Sequence, residues 1–201
     1  MELLFPLLAL IVGYRFVNAR VQQRRIRLLG GYLERYRIEQ LMQTLLDGYL
    51  RALGEQDTER RCAIWGTLLA AETDLRDQVK RLAEDFDKVF GDQALVSTLP
   101  LSFPYAHTLF PRATFDMRLA LALHARGIEA VVDNPEQRPE RDKAFMLSAE
   151  ILLLQHTCHW FCRSRAVASA RLLRSHQTAH AQVLAAVSPA ARAAYERLTG
   201  R

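Results

Sequence analysis

The sequence predicts an all-α protein, and three observations carry that expectation. Apolar residues recur every three or four positions through residues 58–90, with charged residues between them; that is the period of one helix face. Residues 140–187 contain neither Gly nor Pro, so nothing there forces a helix to stop. No segment shows the strict period-two alternation of a half-buried strand. The composition agrees: 50% hydrophobic and 24% charged residues over 201 positions make a folded chain of one domain, or one domain with an appendage. Disordered and collagen-like classes are excluded.

The first element is an apolar run, residues 3–14 (LLFPLLALIVGY), closed by Arg15 and followed by Arg20, Arg24, Arg25 and Arg27. Its apolar residues Leu3, Leu4, Phe5, Leu7, Leu8, Leu10, Ile11 and Val12 read as a membrane anchor. Twelve helical residues reach about 18 Å, short of a hydrocarbon core of about 30 Å. Extension to Val21 closes the gap if Arg15 and Arg20 snorkel to the headgroups. The Arg cluster lies wholly C-terminal to the run, which places the rest of the chain in the cytoplasm at the inner membrane. Two alternatives stand beside the anchor. One is a secretory signal cleaved near Val17-Asn18-Ala19, giving a secreted or periplasmic protein. The other is a first helix that packs on its own core or on a partner.

Gly30-Gly31 predicts a helix stop or hinge. Residues 32–53 then carry Leu33, Tyr36, Leu41, Leu45, Tyr49 and Leu53 at helical spacing, with Gly54 as a cap. Asp57 or Thr58 caps the next helix, whose stripe is Ile64, Leu68, Ala71, Leu75, Val79, Leu82, Phe86 and Val89. The short connection between the two predicts an antiparallel hairpin, and a coiled-coil partner from another chain fits the same stripe. Pro100, Pro104 and Pro111 mark an apolar loop expected to pack against the helices. A further helix begins near Ala113 or Thr114 and ends at Gly127; residues 128–132 read equally as a helical turn or a lone strand. Residues 133–139 (DNPEQRP) form a polar turn. Residues 140–187 make one long helix, or two broken near Ser175, and Ser188-Pro189 caps the last helix. Residues 145–161 are too rich in ionisable groups for a lipid-facing span and read as a buried core helix. The domain organisation is therefore residues 1–29 as anchor and basic juxtamembrane helix, 30–98 as hairpin, 99–112 as Pro-rich loop and 113–201 as the C-terminal helical half, with 30–201 as one domain.

Charge is distributed as basic, acidic, basic. Residues 1–37 hold seven Arg against two Glu, and so do residues 144–201, while the middle is net acidic. The first block abuts the apolar run and suits anionic lipid headgroups. In the second, Arg163, Arg171 and Arg174 fall on one side of a continuous helix and suit headgroups or another phosphate. No helix-turn-helix or RNP-type motif accompanies them, so nucleic acid ranks below lipid.

The densest reactive cluster is His156, Cys158, His159 and Cys162, followed by His176 and His180 one helical turn apart. Imidazole and thiolate are donors for zinc or another transition metal. Yet one helix cannot wrap a tetrahedral ion, and packed, hydrogen-bonded side chains are the plainer reading. Glu150 is a lone carboxylate in an apolar helix. A spatial test separates the possibilities. At least three of His107, His124, Glu150, His156, His159, His176 and His180 around one cavity would favour a helical metal-binding protein or small-molecule enzyme. Scattered histidines would favour a non-enzymatic, membrane-anchored cytoplasmic adaptor or assembly factor without a cofactor, working through a protein partner or a second copy of itself. The adaptor is the leading expectation. A peripheral phosphate- or nucleic-acid-binding protein ranks third.

Overall fold

The computed structural model describes residues 4–200, with side chains from Pro6 onward. The chain is predominantly helical, as the periodicity predicts. Helix α1 (Leu4–Leu33) is 30 residues long, about 45 Å at the usual rise. It runs straight through Gly30-Gly31, and the chain turns only at residues 34–37. Two glycines weaken a helix by about 1 kcal/mol each. Here Leu28, Leu29, Tyr32 and Leu33 pack on the core around them and outweigh that cost. Tyr32 meets Phe86 edge-on at 5.2 Å.

Helices α2 (Ile38–Gly54) and α3 (Thr58–Phe86) form the expected antiparallel hairpin. Asp57 caps α3 by accepting from the backbone N–H groups of Glu59 and Arg60. Gly48 lets the pair close up: a Cβ there would stand 2.4 Å from Leu68 Cδ2. Helix α3 stops four residues before the expected Phe90. Glu72, which reads in the sequence as part of a solvated flank, is buried. It accepts a hydrogen bond from Tyr49 Oη at 2.6 Å and pairs with Lys143 Nζ at 2.5 Å. Burial, then the adjacent Glu72 carboxylate, push the Tyr49 hydroxyl far above the usual tyrosine range. This triad ties the hairpin to the C-terminal half.

After a short helix α4 (Gly91–Ala94), strand β1 (Leu95–Ser97) pairs antiparallel with β2 (Thr114–Asp116), Val96 opposite Phe115. Three-residue strands are too short to show alternation, so the sequence conceals them. Phe115 packs on Trp160 at 4.9 Å, and Trp160 Nε1 donates to the Ser97 carbonyl. The segment between the strands is the Pro-rich loop, carrying helix α5 (Ala106–Leu109) and a 3-10 turn at Pro111–Ala113. It buries its apolar side chains only in part: Pro104 and Ala106 are buried, while Leu101, Phe103, Tyr105, Leu109 and Phe110 are exposed.

Helix α6 (Met117–Asp133) begins later than expected, capped by Asp116, and continues through Gly127, so residues 128–132 are helical. Gly127 stays because the Glu150 carboxylate lies against it; a Cβ there would meet Glu150 Oε2 at 2.7 Å. Helix α7 (Glu140–Cys162) is the buried core helix the sequence predicts. The break expected near Ser175 is present at residues 177–179, and a second, unforeseen break lies at Arg163-Ser164. They separate α7 from α8 (Arg165–His176) and α8 from α9 (His180–Ala186). Ser164 caps α8, and Gln177 ends it in a left-handed conformation at φ 50°. Ser188-Pro189 starts helix α10 (Pro189–Thr199) as expected.

The single-pass anchor is not supported. Among the described residues no helix is long and apolar enough to cross a membrane, because Arg15 and Arg20 interrupt the run. Leu3 lies outside the described residues, and so do the side chains of Leu4 and Phe5.

Candidate functional site

Three regions collect the chemically notable residues. The first is the start of α1. Leu7, Leu8, Leu10, Ile11, Val12 and Phe16 are all exposed, Leu10 at 70%. At 100° per residue these positions surround the helix, so it is apolar on every side rather than along one stripe. Tyr14 is tied to the rest of the protein, its hydroxyl donating to the Ser102 carbonyl at 2.6 Å. One turn on, Asn18 accepts from Ser102 Oγ at 2.6 Å, and Val17-Asn18-Ala19 of the signal reading lie within the continuous helix, Val17 and Asn18 half-buried and Ala19 exposed.

Of the basic residues expected at lipid headgroups, Arg15, Arg20, Arg24 and Arg27 are exposed, with Arg20 stacked over the Phe16 ring at 4.2 Å. Arg25 is not available. Its guanidinium donates to the carbonyls of Leu95 at 2.8 Å and Phe161 at 3.4 Å, and burial lowers its pKa. The late basic stripe does not form, because the break after Cys162 takes Arg163 out of the helix that holds Arg171 and Arg174. Arg163 donates to Gln22 on α1 at 2.6 Å, Arg171 faces a cleft, and Arg174 is exposed.

The second region is that cleft, about 450 Å³ between α2 and the α7–α8 pair. His156, His159 and His176 line it with Arg171, Asp47 and Gln43. Three of the seven tested residues therefore do share a cavity. Burial, then Arg171, hold the His159 imidazole below the ordinary histidine range, and burial does the same for His176. His156 Nε2 is 3.0 Å from Ser169 Oγ. An adjoining recess of about 280 Å³ shares His159 and Arg171 and reaches Cys158. Burial pushes the Cys158 thiol far up and the Cys162 thiol to about 11, so neither is a ready thiolate donor. Among the described residues no three His, Cys, Asp or Glu side chains form a group able to hold a metal ion. The turn at Gln177 takes His176 and His180 off a common helix, and His180 stacks on His156, ring centroids 4.1 Å apart, which fits the packed reading of these side chains rather than the alternative chelate.

The third region is the interior between α6, α7 and α10. Thr157 donates its hydroxyl hydrogen to the Leu153 carbonyl, so its oxygen accepts from His124 Nε2–H at 2.9 Å. That tautomer leaves His124 Nδ1 as a buried acceptor without a partner, and burial lowers the His124 pKa to about 3. Glu150 is fully buried, and neither carboxylate oxygen makes a hydrogen bond of good geometry. Burial raises its pKa to about 7, partly offset by the Ser188 backbone amide. The carboxyl is thus held largely protonated below neutral pH. His107 stands apart, on α5.

Comparison with protein families, with curated proteins and with solved structures finds no match to this chain.

Proposed function

We propose that the protein is a membrane-bound helical adaptor whose folded domain faces the cytoplasm. One observation carries this reading: residues 6–13, the start of α1, are apolar on every side and exposed throughout. Such a surface is unfavourable in water at roughly 25 cal/mol per Å². A helix apolar all round calls for apolar surroundings all round, which a bilayer provides and a flat protein surface does not. Arg15, Arg20, Arg24 and Arg27 follow on the domain side and are exposed, where they would meet anionic headgroups. The adaptor role is supported by the open cleft beside α2, with Leu50, Asp47 and Arg171 at hand for a partner's side chains. In fractionated cells the full chain is expected to pellet with membranes through a high-salt wash and to dissolve in detergent. Full-length protein in the soluble fraction would refute the reading.

A second reading rests on the convergence of His156, His159 and His176 with Arg171. Two imidazoles held below the ordinary histidine range beside a guanidinium suit a small anionic molecule. A thermal-stability screen of carboxylates and phosphates separates the two. Stabilisation that Arg171→Ala abolishes supports the small-molecule site; partner capture that Leu50→Arg abolishes supports the adaptor.

A further inference from the structure

We infer that the Pro-rich loop is a second membrane-contacting element, an apron that enters the boundary between headgroups and acyl chains beside α1. The inference rests on the proposed insertion of α1 and adds a second footprint to it. Leu101, Phe103, Tyr105, Leu109 and Phe110 are exposed within ten positions of one loop. Isolated exposed apolar residues need no explanation, but these form a patch. Phe103 lies 6.2 Å from Tyr14 and 5.9 Å from Phe110, so the patch is continuous with the apolar helix.

The loop is held in place. The β1–β2 pair closes its ends, with Thr98 N–H donating to the Ala113 carbonyl at 2.8 Å, and Ser102 binds both Tyr14 and Asn18. The patch therefore keeps a fixed height on α1. From the tip downward come the aliphatic residues Leu7 to Val12, then the aromatic group of Tyr14, Phe103 and Phe110, then Arg15 and Arg20, then Arg24 and Arg27. At 1.5 Å per residue, Leu10 to Arg27 covers about 25 Å. That is the sequence of layers a protein meets across a membrane surface: hydrocarbon, aromatic belt, anionic headgroups. Arg24 and Arg27 also line a groove of about 700 Å³ with Tyr105, His107 and a single acidic residue, Asp92. The charge beneath the patch matches an anionic lipid surface, and the occupant is accordingly a bilayer containing anionic lipid.

The test uses the full chain with vesicles of phosphatidylcholine and phosphatidylglycerol. Native Trp65 and Trp160 are buried, so the difference in emission between Phe110→Trp and wild type reports on the loop. With brominated acyl chains its added emission is expected to fall roughly twofold in bound protein. Leu101→Asp combined with Leu109→Asp, both at exposed positions, is expected to lower partitioning roughly tenfold while α1 is intact. Wild-type protein that binds the vesicles, with an unquenched loop Trp and undiminished partitioning of the double variant, would overturn the apron alone. Wild-type protein that stays in the aqueous phase would overturn the insertion of α1 and the apron with it.

Discussion

Helices α1 and α7 both look like membrane segments when only their apolar runs are compared, yet the protein treats them in opposite ways. From Leu147 onward α7 is packed against other helices. Leu147, Ile151, Leu153 and Phe161 are buried, and its polar residues are absorbed inside the fold: Lys143 by Glu72, Thr157 by His124 and Leu153. Residues 6–13 of α1 have the simpler composition and are exposed throughout. Apolar content alone does not separate a core helix from a membrane helix. What separates them is whether the rest of the chain supplies partners: α7 is given packing along its length and an anion for Lys143, while Glu150 is buried without a hydrogen bond of good geometry.

This comparison can be broken most forcefully at the Glu72–Lys143 pair. Lys143→Met leaves the Glu72 carboxylate buried without its cation and should cost about 3–5 kcal/mol by denaturant unfolding. A loss below about 1 kcal/mol would mean that α7 is not tied to the hairpin in this way.

The next effect is a pH dependence. Glu150, raised in the fold, binds more protons folded than unfolded between about pH 4.5 and 7, so its contribution falls as pH rises through that window. His124, lowered in the fold, acts in the opposite sense: its contribution is full above about 6.5 and is lost as pH falls toward 3. The Glu150 slope opposes that of His124 between about pH 4.5 and 6.5, while His159 and His176, also lowered by burial, act in the same sense as His124. Glu150→Gln removes the opposing slope. The variant's stability should then rise with pH more steeply than that of wild type, by about 1.4 kcal/mol per unit across that window, measured as urea midpoints at several pH values. A variant profile parallel to wild type would sink the assignment. Smaller still is the cap of α10: Ser188→Ala, which removes the hydrogen bond accepted from Ala191 N–H, should cost about 1 kcal/mol in the same assay.

How much of this was legible depends on the range of the interaction. Asp57 and Ser188-Pro189 act on backbone within three residues, and they mark helix starts in the sequence as they do in the fold. Gly30-Gly31 misleads because the core contacts of Leu29 and Tyr32 are not visible from local propensity. The same is true of Gln177, a non-glycine residue that takes the left-handed conformation and divides His176 from His180. Glu72 reads as solvated because its partners lie 23 positions before it and 71 after. Of the candidate site, the gathering of His156, His159 and His176 depends on breaks that no Gly or Pro announces. The exposed loop was legible as apolar but not as outward-facing, since the strand pair that presents it is too short to leave a pattern.

The most direct test of the contrast is Leu8→Asp with Ile11→Asp in α1, measured at once for vesicle flotation and for stability. Both side chains are exposed, so stability should stay within about 0.5 kcal/mol of wild type, while flotation with anionic vesicles is lost. Retained flotation, or a stability loss of the size expected at Lys143, would contradict the account, because either result would show that the first half of α1 is not the segment that meets the membrane.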